Sequence, residues 1–348
     1  MQSRGWWSLK PSNGRCAVDK VGRAVDDIRR KWVPDGRLAV FDVSITNSGT
    51  QPLLDGATTS REARDALRRL ADASGLLERV VLLPNEVPAP AAIVSAALAP
   101  LQDEPRVLAP RVSEALHGEP LDVLESREEW LRVRAPDGYI AWIHAGYLAT
   151  GPRGWSEDWQ QRATARALSA DIVTPDGRRR LPTGSRVALR RGVVELADGQ
   201  RGAVAAGSVR REQELRVEAR HLALPELAQR WFAGAPYLWG GRTEWGIDCS
   251  GLVQAVYGAR GIALPRDSDQ QFGQGREIPT SADGKGYEAG DLLFFAERGR
   301  VSHVALWAGA GTIVHAALSR GGVGSDRLFG DEPRMRRMRE NLVGVRRL

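Results

Sequence analysis

Asp248-Cys249-Ser250-Gly251 runs directly into Leu252, Val253, Val256 and Tyr257, whose i, i+3, i+4 spacing is that of a helix. Asp248 reads as the N-cap and Cys249 as the first helical residue. A helix N-terminus carries roughly half a positive charge, and a neighbouring imidazole adds to it, so the thiol is expected in the roughly 3.5–7.5 pKa range of reactive cysteines. A lone cysteine on such a helix would read as a small buried apolar residue. The sequence that follows decides between the two. Asp291-Leu292-Leu293-Phe294-Phe295 is a short apolar strand, and Val301, His303, Ala305 and Trp307 share one face of a second. Thr312-Ile313-Val314-His315 forms a third strand after the Ala308-Gly309-Ala310-Gly311 turn, so His315 can neighbour His303 across an antiparallel pair. A thiol nucleophile, a base and a group that fixes the base's tautomer make a triad.

The chain has 348 residues, 42% of them hydrophobic and 26% charged, which suits a globular protein of about two or more domains. The formal net charge is +6, but basic residues are interleaved with acids, so no nucleic-acid partner follows. The one dense basic run, Arg334 to Arg339 with Arg346 and Arg347, reads as a solvated face. Met1 to Arg15 holds no apolar run before a small-residue cleavage site, and no segment is long enough to span a bilayer. Pairing the two cysteines, Cys16 and Cys249, would silence the nucleophile. The reading is a cytoplasmic protein, or an exported one if a leader preceded Met1. No metal spacing is present, and the cysteine chemistry calls for no cofactor.

Upstream, Leu38–Ile45 alternates like a strand, Ser60–Leu76 is helical with Thr59 or Ser60 as cap, and Arg79–Leu83 is a strand before the linker Pro84–Pro90. Glu119–Leu124, Trp130–Arg134 and Tyr139–His144 are short strands around Pro136-Asp137-Gly138. Ala167–Val209 repeats that theme, with turns at Pro182–Ser185 and Leu196–Gly199.

Six motifs, in order, carry a family likeness: Tyr237-Leu-Trp239-Gly240-Gly241, Asp248 to Gln254, Leu264-Pro265-Arg266-Asp267-Ser268, Gly290 to Phe295, His303-Val304-Ala305 and Val314-His315-Ala316. Residues Leu222–Leu348 thereby resemble the NlpC/p60 cell-wall endopeptidases. The stretch around Gly118-Glu119-Pro120, Trp130–Val133, Asp137-Gly138-Tyr139 and Ala141-Trp142-Ile143 resembles a bacterial SH3-like barrel. The implied architecture is α+β, a papain-like catalytic domain (222–348) preceded by two small SH3-like β-barrels (91–150 and 151–221) and an N-terminal α/β unit with its linker (1–90). The resemblance implies Cys249 as nucleophile, His303 as base and His315 as the orienting third member, with Tyr237 and Ser250 near the oxyanion.

It also implies a substrate. Family members with the Arg266-Asp267-Ser268 pattern and SH3-like domains resemble γ-D-glutamyl-L-diamino-acid endopeptidases that require a free N-terminal L-alanine. A buried ammonium needs a carboxylate partner. Asp267 is the candidate, with Asp248, Arg266 and Ser268 around it, and with Glu104 and Tyr139 supplied by the first barrel; Glu114 is the rival acid. The partners expected are peptidoglycan-derived peptides, in murein peptide recycling. The competing readings are a non-catalytic wall-binding scaffold, and an amidase or acyltransferase on the same fold.

Overall fold

The computed structural model describes residues 13–48, 51–85 and 87–348, with backbone alone at 13–19, 47 and 48. Most of the stretch read for a leader, and the Cys16 side chain, lie outside the described residues. Two units form, Met1–Glu86 and Val87–Leu348. In the first, helix α1 (Asn13–Trp32) precedes strands β1 (Phe41–Ser48) and β2 (Gln51–Thr58), and helix α2 (Arg61–Ser74) crosses over to strand β3 (Leu77–Leu82). β2 pairs antiparallel with β1 and parallel with β3. Helix α2 starts where the Ser60 hydroxyl accepts the Ala63 N–H at 3.1 Å, and it buries Ala63, Leu67 and Ala71 at four-residue spacing. Neither α1 nor β2 was read from the sequence. Pro52 and Gly56 break the strand pattern in the sequence of β2 but not the strand itself, and Gly56 is required because a Cβ there would sit 1.9 Å from the Asp42 carbonyl oxygen.

The second unit opens with strands β4 (Ala91–Val94), β5 (Leu98–Gln102), β6 (Arg111–Leu116), β7 (Pro120–Arg127), β8 (Trp130–Arg134), β9 (Ile140–His144) and β10 (Leu148–Gly151). They hydrogen-bond in the order β10-β4-β7-β8-β9-β5-β6 around a core that includes Val94, Leu101, Val123, Val133 and Ile143. Helix α3 (Arg153–Arg162) leads to β11 (Ala165–Thr174), β12 (Gly177–Leu181), β13 (Arg186–Arg190), β14 (Val193–Glu195) and β15 (Arg201–Arg211). β15 returns to pair with β11, which closes this second sheet on itself.

Helices α4 (Glu212–His221) and α5 (Leu224–Phe232) and the short pair β16 (Arg242–Thr243) and β17 (Gly246–Ile247) lead to helix α6 (Cys249–Ala259) and the short α7 (Ser268–Gln271). A six-stranded sheet follows: β18 (Arg276–Ile278), β19 (Leu292–Glu297), β20 (Arg300–Gly309), β21 (Thr312–Ala317), β22 (Gly322–Arg327) and, after helix α8 (Pro333–Glu340), β23 (Leu342–Arg347). Its order is β18-β23-β19-β20-β21-β22. The strands alternate as the two-residue period demands. Leu292, Phe294, Val304, Leu306 and Val314 pack with Leu252, Val253, Val256 and Tyr257 of α6, while Leu293, Phe295, Ala305, Trp307 and Ile313 form a second core cluster. Each such large side chain contributes about 1.5–3 kcal/mol. Helix α6, which begins with Cys249, is thus held against the strands that carry both histidines.

The first turn of α6 is fixed by a backbone approach that only glycine allows. A Cβ on Gly251 would lie 2.4 Å from the Gly241 carbonyl oxygen. Gly251→Ala should therefore push α6 away from the loop before β16, cost about 1–3 kcal/mol by overpacking, and slow alkylation of Cys249 several-fold. Denaturant unfolding and timed thiol labelling measure the two effects.

Candidate active site

Cys249 occupies the first position of α6 and is 6% exposed. Its cap, Asp248, accepts from Gly251 N–H at 2.7 Å, Gly240 N–H at 2.9 Å and the Ser250 hydroxyl at 3.1 Å. The Val304 and Ser250 amides turn toward the sulfur, and Val304 is the residue next to His303. The strands around the histidines are splayed. β20 and β21 are paired from Leu306 and Val314 onward, which leaves His303 beyond the last rung, on the same face as its diagonal neighbour His315.

His303 Nε2 lies 2.8 Å from His315 Nδ1, and His315 Nε2 lies 3.0 Å from an oxygen of Asp326. Asp326, on β22, is also bonded by Arg320 and, at 2.8 Å, by Arg334. Burial would raise its carboxyl, but His315 and then the Arg320 and Arg334 guanidiniums outweigh it and hold the carboxyl below the usual range. Sequence reasoning did not single out Asp326. Its only signal is that β22 pairs with β21 so that Asp326 faces Ile313, two residues from His315.

The electrostatics differ from the sequence expectation. Burial, and then the Asp248 carboxylate, push the Cys249 thiol up to about 12 against the pull of the Val304 amide, Arg266 and the Ser250 amide. Burial, and then His315, lower His303 to about 3. Both shifts favour the neutral thiol and the neutral imidazole. Burial first, and then the Asp248 carboxylate, outweigh the pull of the helix N-terminus on the thiol.

Four residues read as substrate contacts serve the framework instead. Arg266 is fully buried, and its donors go to Asp248 at 2.8 and 3.1 Å, Ser250 at 2.9 Å, Ser113 at 3.0 Å and the Gly241 carbonyl at 3.3 Å. All five N–H groups are thereby directed at protein atoms. Asp248 and Ser250 belong to the same knot. Ser268 is buried at the start of α7, where Asp267 and Gln270 form a capping box. Tyr139 is 5% exposed and packs in the core of the first barrel.

Glu104 is exposed and paired with Arg106 at 2.6 Å, whereas the rival Glu114 is 1% exposed. Glu114 accepts from Arg111 at 2.6 Å and from the Arg242 amide at 3.0 Å, which places it against the catalytic loops. Burial raises its pKa. Tyr237 is half-buried, and the nearby Cys249 and Asp248 add to burial in raising its hydroxyl. Among the described residues no group of side chains is arranged to hold a metal ion, and no helix is long and apolar enough to cross a membrane.

Comparison with known proteins agrees with this architecture. Residues 234–347 match the NlpC/P60 family, and residues 101–148 match the bacterial dipeptidyl-peptidase SH3 domain. A solved NlpC/P60 family protein from Bacillus cereus superposes over 74% of this chain and 99% of its own, with a TM-score of 0.59 at 21% identity. Dipeptidyl-peptidase 6 of Lysinibacillus sphaericus is 29% identical over 252 residues, 65% of this chain and 88% of its own length. The gamma-D-glutamyl-L-lysine dipeptidyl-peptidase of Bacillus subtilis is 40% identical over 89 residues, 25% of this chain. The match spans 29% of that relative's length. Fold and site together join an SH3-like domain to a buried thiol and two linked imidazoles. Its last third, residues 234–347, carries the match to the NlpC/P60 family.

Two outcomes test the site. Arg266→Met leaves the Asp248 carboxylate buried and unpaired, so it should cost about 3–5 kcal/mol in denaturant unfolding. With His303 at about 3, the base stays unprotonated far below the ordinary histidine range. Alkylation of Cys249 by iodoacetamide should therefore persist from pH 7 down to about pH 4 in place of falling below pH 6.5. The linkage sign follows: the unfolded chain takes up the proton that buried His303 refuses, so this group makes folding weaker as pH drops from 6.5 toward 3. Acid-titrated melts read that loss.

Proposed function

We propose that the protein hydrolyses the bond between γ-D-glutamate and the following diamino acid in peptidoglycan stem peptides that carry a free N-terminal L-alanine. The observation that carries this reading is the buried thiol at the head of α6, beside strand β20 and the linked imidazoles of His303 and His315. The name of the Bacillus subtilis relative supports the γ-D-glutamyl bond, and the match to a dipeptidyl-peptidase SH3 domain supports a short, free-amine substrate.

As the Cys249 sulfur bonds to the γ-carbonyl carbon, its proton passes to His303 and the carbonyl electrons move to oxygen. Tyr237 and the first amides of α6 face that oxyanion. Collapse of the tetrahedral adduct expels the diamino-acid amine, which takes the proton from His303 and leaves a thioester. Water then loses a proton to His303 and attacks the thioester, and the same proton restores the thiol. Asp267, with Glu114 in the place first given to Glu104, supplies the carboxylates for the substrate ammonium. A stem still amide-linked to muramic acid has neither that charge nor the room, which fits recycling of released peptides in the cytoplasm.

Cys249→Ala should abolish hydrolysis, and His303→Ala should lower kcat by roughly a hundredfold or more. Asp267→Asn should reduce kcat/KM on L-Ala-γ-D-Glu-L-Lys by roughly a hundredfold, while Glu104→Ala, which removes an exposed side chain, leaves it within twofold. Chromatography of free peptide and of intact sacculi after incubation decides the specificity. Equal release from both would discard the free-amine requirement, and release of whole stem peptides from sacculi would identify an amidase.

A further inference from the structure

We infer that Asp326, clamped by Arg320 and Arg334, is a positioning residue that sets the tautomers of both histidines and so decides which nitrogen of His303 is free to accept the Cys249 proton. The inference rests on the thiol mechanism proposed above but not on the identity of the substrate.

Two imidazoles joined nitrogen to nitrogen are ambiguous by themselves, because the shared proton can belong to either ring. Asp326 removes the ambiguity. Its carboxylate is an acceptor only, and with His315 Nε2 3.0 Å from it, that nitrogen must carry the hydrogen. A neutral His315 then presents a bare Nδ1 to His303. Across the 2.8 Å contact, His303 Nε2 must be the donor, and His303 Nδ1 is left with its lone pair. When His303 takes a proton from sulfur, the imidazolium bonds through His315 toward an anion, and the relay needs no ring to turn.

The clamp keeps that anion in place. Arg320 comes from the short helical turn after β21 and Arg334 from the start of α8, and both bond the Asp326 oxygen that His315 does not use. One carboxylate therefore has its two oxygens assigned to different partners, which fixes its rotation. No other described acid contacts His315. The same geometry predicts an unusual substitution. In Asp326→Asn the two arginines require the amide oxygen on their side, so the NH2 group turns toward His315 Nε2. His315 must then carry its hydrogen on Nδ1, and His303 must carry its own on Nδ1, where the base is needed.

The test compares Asp326→Asn, Asp326→Glu and the unaltered protein. Asp326→Asn should lower the rate of Cys249 alkylation at pH 7, and kcat on the γ-D-glutamyl peptide, by roughly a thousandfold, with KM changed less than threefold. Asp326→Glu keeps an acceptor and should retain at least a tenth of both rates. Nitrogen-15 NMR of the histidine rings should show the hydrogen on Nε2 of both His303 and His315 in the unaltered protein and on Nδ1 of both in Asp326→Asn. A folded Asp326→Asn protein that alkylates within fivefold of the unaltered one, or unchanged ring tautomers, would overturn the inference. Because alkylation and the ring spectra need no peptide, they report on this inference even if the γ-D-glutamyl bond proves not to be the substrate.

Discussion

The pairing of Arg266 with Asp248 is the interaction on which the site depends. Asp248 caps the helix that begins with Cys249, and Arg266 is the buried counter-charge that lets an ionised cap exist there, with side chains 0% and 8% exposed. Charges this deep are tolerated only when every hydrogen-bonding group has a partner. The Arg266 donors meet that condition by reaching Ser250, the Gly241 carbonyl and Ser113, which lies in the first barrel. The nucleophile is therefore held by three chain segments that are far apart in sequence.

A second, half-buried arginine extends the dependence. Arg242, on the hairpin that feeds α6, makes two hydrogen bonds to the Glu119 carboxylate and one to the Glu114 carbonyl, all in the first barrel. Removing the barrel would strip the Arg242 guanidinium of its Glu119 and Glu114 partners and Arg266 of Ser113, so this barrel and the domain that carries Cys249 form one structural unit. A half-open cavity of about 210 Å³ lies beside this junction, against Gly251, Gln254 and Ala255 of α6, a stripe distinct from the core-facing Leu252, Val253 and Val256.

Burial that secures the framework also sets the chemistry. With the thiol pushed up to about 12 and His303 lowered to about 3, charge separation is unfavourable at rest and arises only as the substrate is attacked. In such a site the gain lies in stabilising charge where it develops. A relay of neutral rings ending on a fixed carboxylate meets that need, and it spares the protein a standing thiolate that oxidants could consume.

Much of this was legible from residues alone. The helical period after Asp248 placed Cys249 at a helix start, and the two-residue period of the later strands placed His303 and His315 on neighbouring strands, because both periods are local properties of the backbone. Ser60 was legible as a cap for the same reason. What local pattern could not give was partnership. Arg266, Asp248 and Ser250 sit among the family motifs like ligand contacts, yet they satisfy one another, and this depends on Ser113 arriving from 153 residues away. Glu104 and Glu114 are equivalent as letters. Only the packing of β6 against the catalytic loops buries one and leaves the other in solvent. The sequence by itself determined the chemical groups and the elements that carry them. The tertiary structure decided their charge states and the third partner of the histidines, because desolvation and long-range hydrogen bonds exist only once the chain has closed around them.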